Sequence, residues 1–422
     1  MKGAFGRKIM KTIVSALALS LGFIGAASAA ELRMSWWGGD GRHLATQEAL
    51  KLCGAKLGHV VKPEFTGWQG HGERVTTQLA GRTEADVMQI NWPWLHQFSA
   101  DGSAFADLRD YADVIDLSQW TEDQLAGGTM NGKLNGLPVS VTGRVFYFND
   151  AVFEKAGLPL PKSWADLEEA AKKLNPEGAY PFDAVKLNAI FIVSLAAAQQ
   201  TGKDLIDPET GKVAWTEEEL AEALKFYQSL SEKGVIRPWR TAVAVGNIEL
   251  FDEAAWRDGK VGGSYEWDST YGKYADPLVE GKLIPTPPFR VEGATSDGVY
   301  RKPSMVFSIS KNSREPKAAA EIVNCLLNDP EAVTILGDTR GLPASAVALK
   351  TLTEAGKLSP ELLEAAKIVS EASGPAVSPL NEHPAVREAL NDAIEEMAYG
   401  QISPEEAAST IIRSVNRALT RM

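Results

Sequence analysis

Six tryptophans, Trp36, Trp37, Trp68, Trp92, Trp94 and Trp267, fall at or just past the ends of expected strands, beside Gly, Pro or polar residues. An indole ring in such a place offers a flat apolar face with a polar edge. The C–H face of a pyranose stacks on that surface while its hydroxyls hydrogen-bond around the rim. The alternative for each ring is packing, the role expected of Trp164, Trp215 and Trp256 inside their periodic segments. A second group is cationic. Arg42 and His43 follow the Gly38-Gly39 turn, Lys302 lies between Arg301 and Pro303, and Arg340 precedes Gly341-Leu342-Pro343. Arg144 is the only charge between Val139 and Asn149, so if it faces inward it needs a partner. A planar guanidinium takes a carboxylate bidentately, and that carboxylate could belong to a protein Asp or Glu or to a uronate ligand. Asn91, beside Trp92, completes the candidate ligand set.

Catalytic and cofactor patterns are weak by comparison. His43, His59, His71, His96 and His383 lack zinc-type helix spacing, and the two cysteines form no CxxC pair. There is no GxGxxG, no Walker A and no GxSxG elbow. The expectation is a binding protein without cofactor, metal or catalytic residues. A polysaccharide-degrading enzyme is the alternative, since 55 acidic residues could supply a carboxylate pair that no segment marks out.

The elements that would position these groups follow an export signal. Lys2, Arg7, Lys8 and Lys11 precede an apolar run over Thr12–Ala26 and the small residues Ala27-Ser28-Ala29, so residues 1–29 are expected to be a cleaved signal peptide. The run is shorter than the roughly 20 residues of a membrane span, and no cysteine near it suggests a lipid anchor. Removing four basic groups leaves 39 against 55 acidic side chains, a charge of −16, which disfavours nucleic acid and anionic membrane as partners. A chain of this length exceeds one comfortable core, which points to two lobes. Strands are expected at Glu31–Ser35, Val60–Thr66 and Ala85–Ile90, with helices between them, the pattern of a parallel sheet whose ligand sits beyond the carboxyl ends of the strands. Further strands are expected at Lys133–Pro138, Val139–Phe148, Val261–Glu266 and Val299–Ser310, and a helix at Asn247–Asp258. Cys53 and Cys325 each fall in an expected helix; an exported chain can pair them, or both can be buried free thiols.

Several segments together resemble the extracellular solute-binding proteins of sugar ABC importers, of the maltose-binding type. They are Ser35-Trp36-Trp37-Gly38-Gly39, Phe65-Thr66-Gly67-Trp68, Asp86-Val87-Met88-Gln89, Asn131 to Pro138, Pro161-Lys162-Ser163-Trp164, and Pro316-Lys317-Ala318-Ala319 running on to Pro330. Arg42-His43, Asn91-Trp92-x-Trp94, Arg144 within Val139–Asn149, and Lys302-Pro303 are similar to the oligogalacturonide-binding members. The resemblance implies a two-lobed α/β periplasmic-binding-protein fold of type II, with lobe one over 30–140 and 304–355 and lobe two over 141–303 and 356–422. It implies a periplasmic monomer that closes about a short acidic oligosaccharide and docks with ABC permease subunits. Trp36, Trp37, Trp68 and Trp92 would come from lobe one and Trp267 from lobe two, with Arg144 and Lys302 neutralising uronate carboxylates. A neutral oligosaccharide is the alternative ligand. Family members commonly carry aromatic residues where Cys53 and Cys325 stand, both in lobe one by this resemblance, which implies a compensating disulfide.

Overall fold

The computed structural model describes residues 29–246 and 248–421. The expected signal peptide, apart from Ala29, lies outside them, as does Asn247, the first residue of one expected helix. Seven strands build one continuous sheet: β1 Glu31–Trp37, β2 Val60–Thr66, β3 Val87–Asn91, β4 Leu137–Asn149, β5 Gly263–Trp267, β6 Leu283–Thr286 and β7 Arg301–Ile309. The order is β6-β4-β7-β3-β1-β2, with β5 also paired to β4. Only the β1–β2 and β1–β3 pairs are parallel; β4, β5, β6 and β7 pair antiparallel, so the parallel arrangement expected from the first three strands does not extend through the sheet.

β1 runs two residues further than its composition suggested. Leu32, Met34 and Trp36 alternate onto one face and are fully buried, as the two-residue period of a strand requires. The strand expected over Lys133–Pro138 is instead a two-residue arm of a small hairpin, Lys133–Leu134 against Thr129–Met130. Trp92 and Trp94 stand in a helix, Trp92–Ser99, with Pro93 in its first turn. The expected helix over 247–258 is two short turns, Leu250–Asp252 and Ala254–Arg257.

Two principal cores divide the molecule. One is drawn from residues 30–139 and 305–344, the other from 146–300 and 386–415. β4 serves both: Leu137 and Val139 pack in the first core, Phe146 and Phe148 in the second. Its pairing changes with them, to β7 up to Gly143 and to β5 from Arg144 onward. β7 crosses in the opposite direction, and its register slips on either side of Met305, as at a bulge that bends a strand. The fold is thus two α/β lobes joined through these two strands. In the first lobe, Cys53 of the helix Asp40–Leu57 and Cys325 of the helix Pro316–Asn328 form a disulfide across 272 positions. No helix among the described residues is long and apolar enough to cross a membrane.

Candidate functional site

A cavity of about 180 Å³, partly open to solvent, lies between the lobes. Trp37, Arg42, Trp68 and Asn91 line it from the first lobe, Arg144 and Lys302 from the connecting strands, and Trp267 from the end of β5. These seven expected residues are therefore brought to one place. Trp36, His43, Trp92 and Arg340 are not among its lining. Trp36 packs on Phe65 at 5.1 Å between ring centres and donates its Nε1–H to His43 Nδ1 at 3.1 Å, which also holds His43 against Phe65. Trp92 is buried and donates to the Gly127 carbonyl at 2.9 Å. Arg340 points into the first core, its Nε donating to Gln89 Oε1 at 2.8 Å and Nη2 to Thr46 Oγ1 at 2.9 Å. Trp94 stacks behind Trp68 with ring centres 5.4 Å apart and planes 14° from parallel, so it supports that ring.

Local sequence explains how the first-lobe groups arrive. β1 ends at Trp37, and the Gly38-Gly39 turn leads at once into the helix Asp40–Leu57. A Cβ on Gly38 would lie 2.6 Å from Arg42 Cδ, so a residue without a side chain is needed there for Arg42 to fold back over the strand end. Arg42 then donates to the carbonyls of Trp37 at 3.2 Å and Thr339 at 2.9 Å and meets no carboxylate among the described residues. Burial lowers its pKa to about 10.

Arg144 and Lys302 already have protein counter-ions. Arg144, 1% exposed, lies 3.6 Å from Glu266 and donates to Asn188 Oδ1 at 2.5 Å and to the Tyr265 carbonyl. Its guanidinium carbon sits 3.9 Å over the Phe191 ring and 5.1 Å from that of Trp267. Lys302 meets Glu382 at 2.5 Å, and its Nζ lies 4.7 Å from the Trp267 ring centre. Glu382 also takes Arg387 at 2.6 Å; burial works against its charge, but the two cations hold its carboxyl below the usual range. Deeper in the second lobe Arg237 joins Asp183 and Glu253, both at 2.6 Å. No local pattern marks these acidic partners, most of which lie far along the chain from the cations they hold, although Glu382 sits in a Pro-bracketed turn within a helical tail.

The residue that reading the sequence missed is Lys273, on the helix Tyr271–Ala275. It lines the cavity, its Nζ lies 5.4 Å from the Phe251 ring centre, and it makes no ion pair among the described residues. Burial, then Arg42, lowers its pKa to about 8. Seven basic and five acidic side chains line the cavity, an inversion of the acidic balance of the whole chain. Four of those acids, Asp183, Glu253, Glu266 and Glu382, are held by Arg or Lys, and the fifth, Glu249, accepts from Gln69 of the opposite lobe at 3.0 Å. That leaves Arg42 and Lys273 as the lining cations that make no ion pair among the described residues. No cluster of three or more His, Cys, Asp or Glu able to hold a metal occurs among the described residues.

At the lobe junction, Asp268 accepts from Thr142 Oγ1, from the Ser269 N–H at 2.6 Å and from the Gly143 N–H at 3.3 Å. Burial outweighs those bonds and raises its pKa to about 6, against 3.8 for an exposed aspartate. The native state therefore binds a proton that the unfolded chain releases between those values. This group's contribution to stability is full at low pH and is lost as pH rises through about 6. Relative to wild type, Asp268→Asn is expected to gain melting temperature at pH 7.5 and to lose that advantage by pH 4.5. A difference independent of pH would contradict the assignment.

A family model of the bacterial extracellular solute-binding proteins matches residues 49–362. The chain belongs to that family. It is similar to a periplasmic oligogalacturonide-binding protein of Yersinia enterocolitica solved with saturated digalacturonic acid: 36% identity, 93% of this chain and 99% of that one covered, TM-score 0.88. A periplasmic solute-binding protein of Pectobacterium atrosepticum matches at 32% identity over the same shares, with a TM-score of 0.87. Putative binding proteins of Brucella abortus and Brucella suis are 27% identical over 203 residues, and the chain spans about half (48%) of their length.

Proposed function

We propose that this solute-binding protein is an exported, non-catalytic subunit that captures a short acidic oligosaccharide, an oligogalacturonide released from pectin, and delivers it to the permease of an ABC importer. The observation that carries the reading is the pair of cations without counter-ions, Arg42 and Lys273, set among aromatic rings in a cleft between lobes. Trp267 and Trp68, both only partly buried, supply stacking faces, and Asn91 and Asn188 supply hydrogen-bonding edges. The likeness to a digalacturonate-binding protein points the same way. The engagement of the cleft carboxylates in ion pairs and hydrogen bonds favours holding a sugar over hydrolysing it. With lobe one taken as 30–140 and 304–355, ligand contacts from both lobes favour the closed form, as in hinge closure.

The assignment of Arg144 and Lys302 to uronate carboxylates gives way here to Arg42 and Lys273, because a cation already paired with a buried acid gains little from a second one. A charge-assisted contact contributes about 1.5–3 kcal/mol, tenfold or more in affinity. Calorimetry should therefore find trigalacturonate bound at least tenfold more tightly than galactotriose, with the gap narrowing as salt is raised. Equal or tighter binding of the neutral sugar would instead support the second reading, a neutral-oligosaccharide binder, which the aromatic lining alone serves equally well.

A further inference from the structure

The uncompensated charge in the cleft is divided between the two lobes. Arg42 projects from the first turn of a first-lobe helix, and Arg340 stands behind it, 5% exposed, with Nη1 lacking any partner among the described residues. No carboxylate approaches either guanidinium within ion-pair distance among the described residues. Lys273 belongs to the short helix that follows β5 in the second lobe. Arg42 and Lys273 line the same cavity from the two lobes. The acidic groups that offset Lys273 from further off, Glu249, Asp252 and Glu266, make no ion pair with it, and two of them are engaged elsewhere. Bringing the lobes together therefore brings like charges together across a partly dry gap, where screening is weak.

We infer that Lys273 makes closure conditional on a ligand anion: the empty lobes repel one another through Lys273 against Arg42, and a ligand carboxylate placed between them converts that repulsion into attraction. The device deepens the proposed function, on which it rests for the nature of the anion. It rejects as well as selects, because a neutral sugar of the same shape would close the lobes only against the repulsion. It also accounts for how a cleft with stacking surfaces common to all sugars discriminates among them. A ligand can bias the two conformations only by its differential interaction with them, and here the carboxylate supplies that difference.

Two measurements on the full mature chain test this separately from the sugar assignment. The first is small-angle scattering without ligand at low salt. Wild type is expected to be open, Lys273→Met shifted toward the compact form and Lys273→Glu more so, while Lys273→Arg stays open; high salt should compact wild type toward the methionine variant. An unchanged radius of gyration across these variants would overturn the inference, whatever sugar the protein binds. The second is calorimetry with trigalacturonate and its fully methyl-esterified form. Wild type should prefer the acid at least tenfold. Lys273→Met should lose tenfold or more for the acid and gain for the ester, and Lys273→Arg should restore the preference. Equal losses for both ligands would make Lys273 a structural residue and overturn the inference. If wild type binds neither sugar, the oligogalacturonide reading fails, and the scattering result still decides the role of Lys273.

Discussion

The double substitution Cys53→Ala/Cys325→Ala is expected to destabilise the first lobe by roughly 3–5 kcal/mol. The cross-link spans 272 positions, so in the loop-closure account it removes a large share of the entropy of the unfolded chain. It also pins the helix Asp40–Leu57 to the helix Pro316–Asn328, which join the first-lobe core from opposite ends of the sequence. Without it, the return of residues 305–344 to the core rests on packing, the pairing of β7 with β3 and β4, and side-chain bonds such as those of Arg340. Differential scanning calorimetry should show the first lobe melting lower by about 10 °C, at roughly 2–4 °C per kcal/mol for a domain of this size, with the second lobe little changed. Because Cys53 and Cys325 are buried, the native wild type should resist mild reductant and reach the lower transition only when reduced under denaturing conditions. A transition unmoved by the double substitution would mean that the lobe does not depend on the link.

Trp267→Ala is expected to weaken an acidic oligosaccharide by about 2–3 kcal/mol, roughly 30- to 150-fold. The ring serves two purposes at once. Its edge packs against Phe191 and Tyr300 at 5.5 and 5.7 Å, which fixes its orientation, and its partly exposed surface lines the cavity. Arg144 and Lys302 also lie against it, so its removal loosens both buried ion pairs around the cleft. Trp267→Phe keeps an aromatic face and should recover most of the loss. Titration calorimetry of the three proteins with trigalacturonate, alongside their melting temperatures, separates lost stacking from general disorder. Affinity unchanged in the alanine variant would remove Trp267 from the site.

Much of the fold was legible because its signals are local. Ser163 and Thr216 cap their helices, their hydroxyls accepting from the Asp166 and Glu219 N–H groups three residues on. The two connecting strands were readable as long, mostly apolar runs, the first with Arg144 as its one charge and the second with Arg301 and Lys302 near its start. Element ends were less so: one strand was read as stopping at Ser35, and its continuation to Trp37 sends Trp36 into the core by simple alternation. Trp92 and Trp94 followed the same pattern, placed in a loop by their Pro neighbour but held in a helix whose buried face they form.

The site divides along a similar line. Arg42 was visible through the Gly-Gly turn that makes room for it, and Arg144 through its isolation among apolar residues. What no segment could show is which cations lack partners, since Glu266 and Glu382 reach Arg144 and Lys302 only through tertiary packing. Lys273 sits in Tyr271-Gly272-Lys273-Tyr274, where nothing distinguishes it from a surface lysine. Its meaning depends on the lack of an ion pair among the described residues, which only the folded arrangement reveals.

The central claim is that Arg42 and Lys273 meet one ligand carboxylate between the lobes. A crystal structure of the protein with trigalacturonate tests it most directly. The account predicts galacturonate rings against Trp267 and Trp68, with a carboxylate within hydrogen-bond distance of both the Arg42 guanidinium and the Lys273 ammonium. A sugar bound with its carboxylates turned to solvent, or seated away from the cleft, would contradict it.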